Sequence, residues 1–213
     1  MKQSELDREL RNVCKLEAKG RGWKSVGGMP YWTIGPLFFV LLVSARVKEE
    51  SFYCSLSVKW LALDRELWRI LGMSSNEREP FSLHANGAFV LSGQEILRTS
   101  ERPIAWANSI LQQKVAVAAT QAEARAHEVS SSISDLESYI HFIQREHEAF
   151  LERYPRAVVN VFREELLAAL VSKEFNRAKL IALARIEASD SGGFSSDGKS
   201  FYENALPFCR GDA

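Results

Sequence analysis

The stretch Pro36-Leu37-Phe38-Phe39-Val40-Leu41-Leu42-Val43 constrains the fold more than any other part of the chain. No polar residue interrupts it, so it has no period-2 alternation. That pattern predicts a strand covered on both faces, with Val40 and Leu42 in the core. The run is too short to cross a bilayer. Directly after it, Phe52 to Leu61 alternates: Phe52, Cys54, Leu56, Val58 and Trp60 against Tyr53, Ser55, Ser57 and Lys59. This is the signature of a strand with one buried face. Together the two predict the centre of an antiparallel sheet.

The flanking sequence completes the sheet. Residues 2–19 carry Leu6, Leu10, Val13 and Leu16 at helical spacing, with Ser4 as a candidate N-cap and Gly20 and Gly22 as stops. Tyr31 to Ile34 reads as a strand joined to the apolar run by a type II′ turn at Gly35-Pro36. Lys48-Glu49-Glu50 is the next loop. Asp64 reads as the N-cap of a short helix ending at Gly72, with Leu63 and Trp68 as its hydrophobic staple. Asn86-Gly87 between Phe81–His84 and Ala88–Leu91 predicts a second hairpin.

From Glu101 onward the period becomes helical. Ile104, Ala107, Leu111, Val115, Ala118, Ala122 and Ala126 form one small-residue stripe, and Ser130-Ser131-Ser132 a break. Ile133, Leu136, Ile140, Ile143, His147, Phe150 and Tyr154 form the next, ended by Pro155. These two stripes are expected to bury each other. Two more helices follow, built on Val158 to Leu170 and Ala178 to Ala184. The expected fold is α+β: an N-terminal helix, an antiparallel sheet of about five strands, then a bundle of about four helices. The expected divisions are 1–100 for helix and sheet, 101–188 for the helical region, and 189–213 for a flexible Gly/Ser-rich tail.

Charge narrows the function classes. Lys+Arg and Asp+Glu are both 27, which argues against direct binding of nucleic acid. Residues 128–174 hold 9 acidic against 5 basic groups, which marks an acidic helical face. Cys14, Cys54 and Cys209 are scattered and predict neither disulfide nor metal site. With no signal peptide after Met1, the reading is a reduced, cytoplasmic chain.

No nucleophile elbow, phosphate loop, dinucleotide fingerprint or H-E-x-x-H motif is present. No cofactor is expected, and no catalytic residue is assigned. The alternatives are an enzyme with a dispersed site drawn from His84, His141, His147 and Glu137, or an adaptor subunit using the last helix pair.

Up to about residue 100 the order is a short amphipathic helix, a Gly-rich entry, the meander Trp32–Leu61 and the capped helix Asp64–Leu71. This order resembles the immunity proteins of bacterial toxin systems and small bacterial domains of uncharacterised function. The resemblance implies a cytoplasmic inhibitor that binds one cognate protein toxin and does no chemistry; the chain is expected to be a monomer or dimer. An acidic face would suit a nuclease toxin, whose cleft must hold phosphates. The partner-binding candidates are Glu146, Glu148, Glu152, Glu164 and Glu165 on the helices. On the sheet they are Tyr53, Lys59 and the loop Lys48, Glu49 and Glu50.

Overall fold

The computed structural model describes residues 2–153, 161–196 and 198–210. The expected helix stop at Tyr154-Pro155 and the start at Val158-Val159 lie outside them. The architecture is α+β, as the patterns predict, and it divides into two compact units.

The first unit comprises Met1–Lys59, Pro80–Ala88 and Ser92–Ser132. Its centre is a five-stranded meander in sequence order: β1 (Lys24–Val26), β2 (Met29–Ile34), β3 (Leu37–Arg46), β4 (Ser51–Trp60) and β5 (Gln94–Glu101). The tight turns have the chemistry their geometry needs. Gly27 and Gly28, at φ +58° and +86°, join β1 to β2 as a type I′ turn demands. Gly35 has φ +56° and is followed by Pro36, whose ring forbids positive φ. The turn is therefore II′ rather than I′.

Helices α1 (Gln3–Gly20) and α4 (Asn108–Ser132) pack on one face of this sheet and on each other. Leu6, Leu10, Cys14 and Ala18 of α1 meet that face, and Leu111, Val115, Ala118, Ala122 and Ala126 of α4 are buried. The alanine stripe thus serves a close approach to α1 and the sheet. At one end Gln3 holds β3, donating to Ala45 O at 2.9 Å and accepting from Val47 N at 2.9 Å. The opposite face carries α3 (Phe81–Asn86) at one end: His84 lies near the rings of Phe38 and Phe81.

Three expectations fail in this unit. The apolar run is covered on both faces only at Leu37, Phe38 and Phe39. Further along, Val40 is half-buried and Leu42 is 48% exposed. The second hairpin does not exist. Residues 81–86 are helical, and Gly87 has φ −75°, incompatible with a I′ turn. Gly87 is needed for another reason: a Cβ there would lie 2.5 Å from Leu83 O. The fifth strand is instead β5, whose alternation is hidden by a bulge at Ile96.

The second unit comprises Trp60–Glu79, Phe89–Leu91 and Ile133–Ala213. Here α6 (Val161–Val171) packs against α2 (Leu61–Ile70), α5 (Leu136–Arg153) and α7 (Phe175–Glu187). Asp64 is not an N-cap. It lies within α2, fully buried, and its Oδ1 accepts from Leu91 N at 2.8 Å. The Trp68 indole donates to Phe89 O. These two bonds hold the segment expected to be a strand. Within the expected tail the described residues form β6 (Ser195–Ser196) paired with β7 (Lys199–Ser200), and a helix α8 (Phe201–Ala205). Phe201 and Tyr202 are fully buried, so their aromatic area anchors the end of the chain.

Candidate functional site

Two features of the first unit have the make-up of binding sites. The first is the sheet face opposite α1 and α4, beyond the end covered by α3. Lys59 Nζ lies over the Phe38 ring, so Tyr53, Ser55 and Ser57 share Phe38's face by alternation. The β4–β5 register adds Ser100, Arg98 and Glu95 opposite Tyr53, Ser55 and Ser57. Their side chains lock together. Tyr53 donates to Glu95 Oε2 at 3.1 Å, and Arg98 reaches both Glu95 oxygens at 2.6 and 3.0 Å. The guanidinium also lies 5.6 Å from the Tyr53 ring centroid. With exposed Leu42 and half-buried Val40, this gives a rigid apolar patch beside a Tyr–Arg pair. Aromatic and Arg side chains held in this way lose little entropy on binding and dominate protein interfaces.

The second feature is a cavity of about 350 Å³ at the β1–β2 edge. Trp23, Lys24, Tyr31, Trp32, Thr33, Ile34, Phe38, Phe81, Glu123 and His127 line it. The end of α1 explains its origin. Gly22, at φ +74°, closes a Schellman motif in which Gly22 N bonds Lys19 O and Trp23 N bonds Ala18 O. The chain therefore leaves the sheet line at Trp23. The indole stacks on Trp32 at 4.0 Å between centroids. Arg21 covers it at 5.4 Å and pairs with Glu17 at 2.8 Å and Glu123 at 2.5 Å. Sequence patterns did not single out this site; its trace was Gly22 followed by Trp23, read only as a helix stop.

The sequence-based candidates scatter. Lys48, Glu49 and Glu50 form an exposed turn, and Glu50 O accepts from Ile104 N at 2.8 Å. Tyr53 is half-buried in the cluster above. Lys59 does not project: it is 2% exposed, and its ammonium donates to His84 O at 2.8 Å. Glu148 and Glu152 are exposed and Glu146 is half-buried. Glu164 is only 8% exposed and accepts from Tyr139, so it is structural rather than available to a partner. Glu165 accepts from Gln144 at 2.9 Å.

The residues considered for catalysis are not gathered by either unit. His84 belongs to the first; His141, His147 and Glu137 belong to the second. His141 and Glu137 form an exposed pair at 3.8 Å. Partial burial lowers the pKa of His147, with the charges of Glu165 and Glu148 opposing that shift. Among the described residues no group of three or more His, Cys, Asp or Glu side chains is placed to hold a metal, and no helix is long and apolar enough to cross a membrane. No family model matches the chain, and no curated protein or solved structure is significantly similar to it.

Proposed function

We propose that the protein is a non-catalytic binding protein that neutralises a cognate toxin by stoichiometric contact, through the open face of its sheet. The observation that carries the binding role is Leu42, 48% exposed in mid-strand on the same face as the Tyr53–Glu95–Arg98 cluster. An apolar centre with a preset Tyr–Arg rim is the make-up of an interface hot spot. The toxin as partner rests on the resemblance of the first hundred residues. Glu146, Glu148 and Glu152 on α5 contribute steering toward a basic partner, affecting the association rate more than affinity.

Two tagged baits test this in the native cell: wild type, and Leu42→Glu combined with Tyr53→Ala. The double variant loses the Tyr53–Glu95 hydrogen bond, so a melting curve checks that it is fully folded at the temperature of the assay. The expected result is one stoichiometric partner on the wild type, toxic when expressed alone and lost from the double variant. Equal recovery on both baits would exclude the sheet face. A partner without toxicity would exclude the neutralising role.

A further inference from the structure

We propose that the edge of β2 at Trp32, Thr33 and Ile34 is a docking site for the free C-terminal end of an extended peptide, which adds to it as a short strand. This site is separate from the open sheet face and does not rest on the toxin reading.

The backbone supplies the first argument. In a two-residue hairpin the residues flanking the turn are a hydrogen-bonded pair, here Ile34 with Leu37. The next pair, Thr33 with Phe38, is then non-hydrogen-bonded, so Thr33's N–H and C=O point outward. One step on, Tyr31 meets Lys24 of β1 on that outer side. Beside Thr33 β1 has already ended, because Trp23's N–H is spent on Ala18 O. Among the described residues no strand pairs with Thr33 on that side, and the cavity opens there. Its donor and acceptor match one residue of an added strand.

Charge selects which end of a peptide fits: the Glu123 carboxylate in the lining is paired with Arg21 at 2.5 Å, and Lys24 is the cation at the end of the β1 line. A segment continuing the line of β1, in the same direction, points its C-terminus at Lys24. That ammonium is exposed and lies 5.4 Å from the Phe81 centroid. A free carboxylate there gains a cation; the reversed orientation would set an α-amino group against Lys24. Sidedness fixes the residues. The peptide residue opposite Thr33 shares its face with Tyr31 and Phe38, beside Phe81, which is 43% exposed. An apolar or aromatic side chain fits that position. That residue is the last of the peptide, because Trp23 fills the position opposite Trp32 and stacks its ring there. The other sheet edge is guarded: β5 is bulged, carries Glu95, Arg98 and Glu101, and has Arg125 donating to Ile96 O at 3.2 Å. Trp32, Thr33 and Ile34 carry no charge.

The test is amide NMR on the full chain, ¹⁵N-labelled, titrated with acetyl-Thr-Thr-Val-Phe bearing a free carboxylate. The Thr33 amide should shift saturably, with a dissociation constant of about 0.1–1 mM. Capping the carboxylate as an amide should weaken binding about fivefold. N-methylation of the phenylalanine amide should weaken it about tenfold, since it removes one donor. Thr33→Pro removes the outward N–H, which an edge strand tolerates, and the reporter with it, so the Trp32 and Ile34 amides are read there: they should no longer shift saturably, whereas Thr33→Val should retain the shifts. If Thr33→Pro does not fold, the N-methylated peptide decides. No saturable shift at Thr33 up to about 5 mM, or equal binding of the free and N-methylated peptides, would overturn the proposal.

Discussion

The phenol of Tyr139 donates a 2.6 Å hydrogen bond to Oε2 of Glu164, and both side chains are buried in the helical unit. Burial, and then the Glu164 charge, push the Tyr139 pKa well above the ordinary tyrosine value. Tyr139→Phe should therefore cost about 1.5–3 kcal/mol in urea unfolding at neutral pH, the scale of one hydrogen bond to a buried charged group. It should also change the pH profile. An acid whose folded pKa is raised stabilises fully below its unfolded value, and that stability is lost as pH rises above about 10. The variant should lose less stability above pH 10 than the wild type. Parallel profiles would separate Tyr139 from the alkaline transition.

Cys14 extends this logic to lower pH. Burial, with smaller contributions from Cys54 and Glu17, raises its pKa from the ordinary thiol value of 9.0 to about 12. The unfolded thiol ionises first, so stability falls as pH rises from about 9 toward 12. Cys14→Ala should flatten that window. Cys14, Cys54 and Cys209 are all buried. A disulfide reagent at pH 8 should label the native protein only as fast as it opens, and immediate labelling of all three thiols would contradict this packing.

The order of elements was legible because it depends on local periodicity. The α1 stripe, β3, β4 and the Gly35-Pro36 turn all come directly from residue spacing. Where long-range contact decides, the pattern misleads. Asn86-Gly87 carries the local signal of a hairpin, but Gly87 serves its close approach to Leu83 O. In β5 the bulge at Ile96 places two apolar residues side by side and erases the alternation. Lys59 has the sequence position of an exposed residue, yet α3 folds over it and supplies the His84 carbonyl. The edge cavity depends on where α1 ends relative to β2, a relation no single stretch encodes.

Neighbouring leucines on β3 give a test of sidedness. Leu41 is fully buried against the helix-covered face, while Leu42 is 48% exposed on the other. Leu41→Ala should cost about 2–4 kcal/mol through lost transfer energy and a residual cavity. Leu42→Ala should fall within about 0.5 kcal/mol, the range of ordinary surface changes. Equal losses in parallel denaturation curves would mean that Leu42 is covered in solution.

Four helices end in the same way but with different residues at the left-handed position. Gly22 and Gly72 close α1 and α2 at φ +74° and +68°. Lys173 and Ser189 close α6 and α7 at φ +60° and +55°. In the second pair Lys173 N bonds Leu170 O and Glu174 N bonds Ala169 O, while Ser189 N bonds Ile186 O and Asp190 N bonds Arg185 O. The motif is thus made in full, with the strain of a Cβ at positive φ. A non-glycine residue there costs roughly 1–2 kcal/mol. Replacing it with glycine frees the unfolded chain, which costs about 0.4–1 kcal/mol. The strain term is the larger of the two. Lys173→Gly and Ser189→Gly should each stabilise by about 0.5 kcal/mol and, at separate helix ends, add when combined. Gly72→Ala should do the opposite, losing about 1 kcal/mol. Thermal unfolding of the four variants beside wild type decides the point: a loss of stability in both Lys173→Gly and Ser189→Gly would show that neither helix end is held in the left-handed conformation.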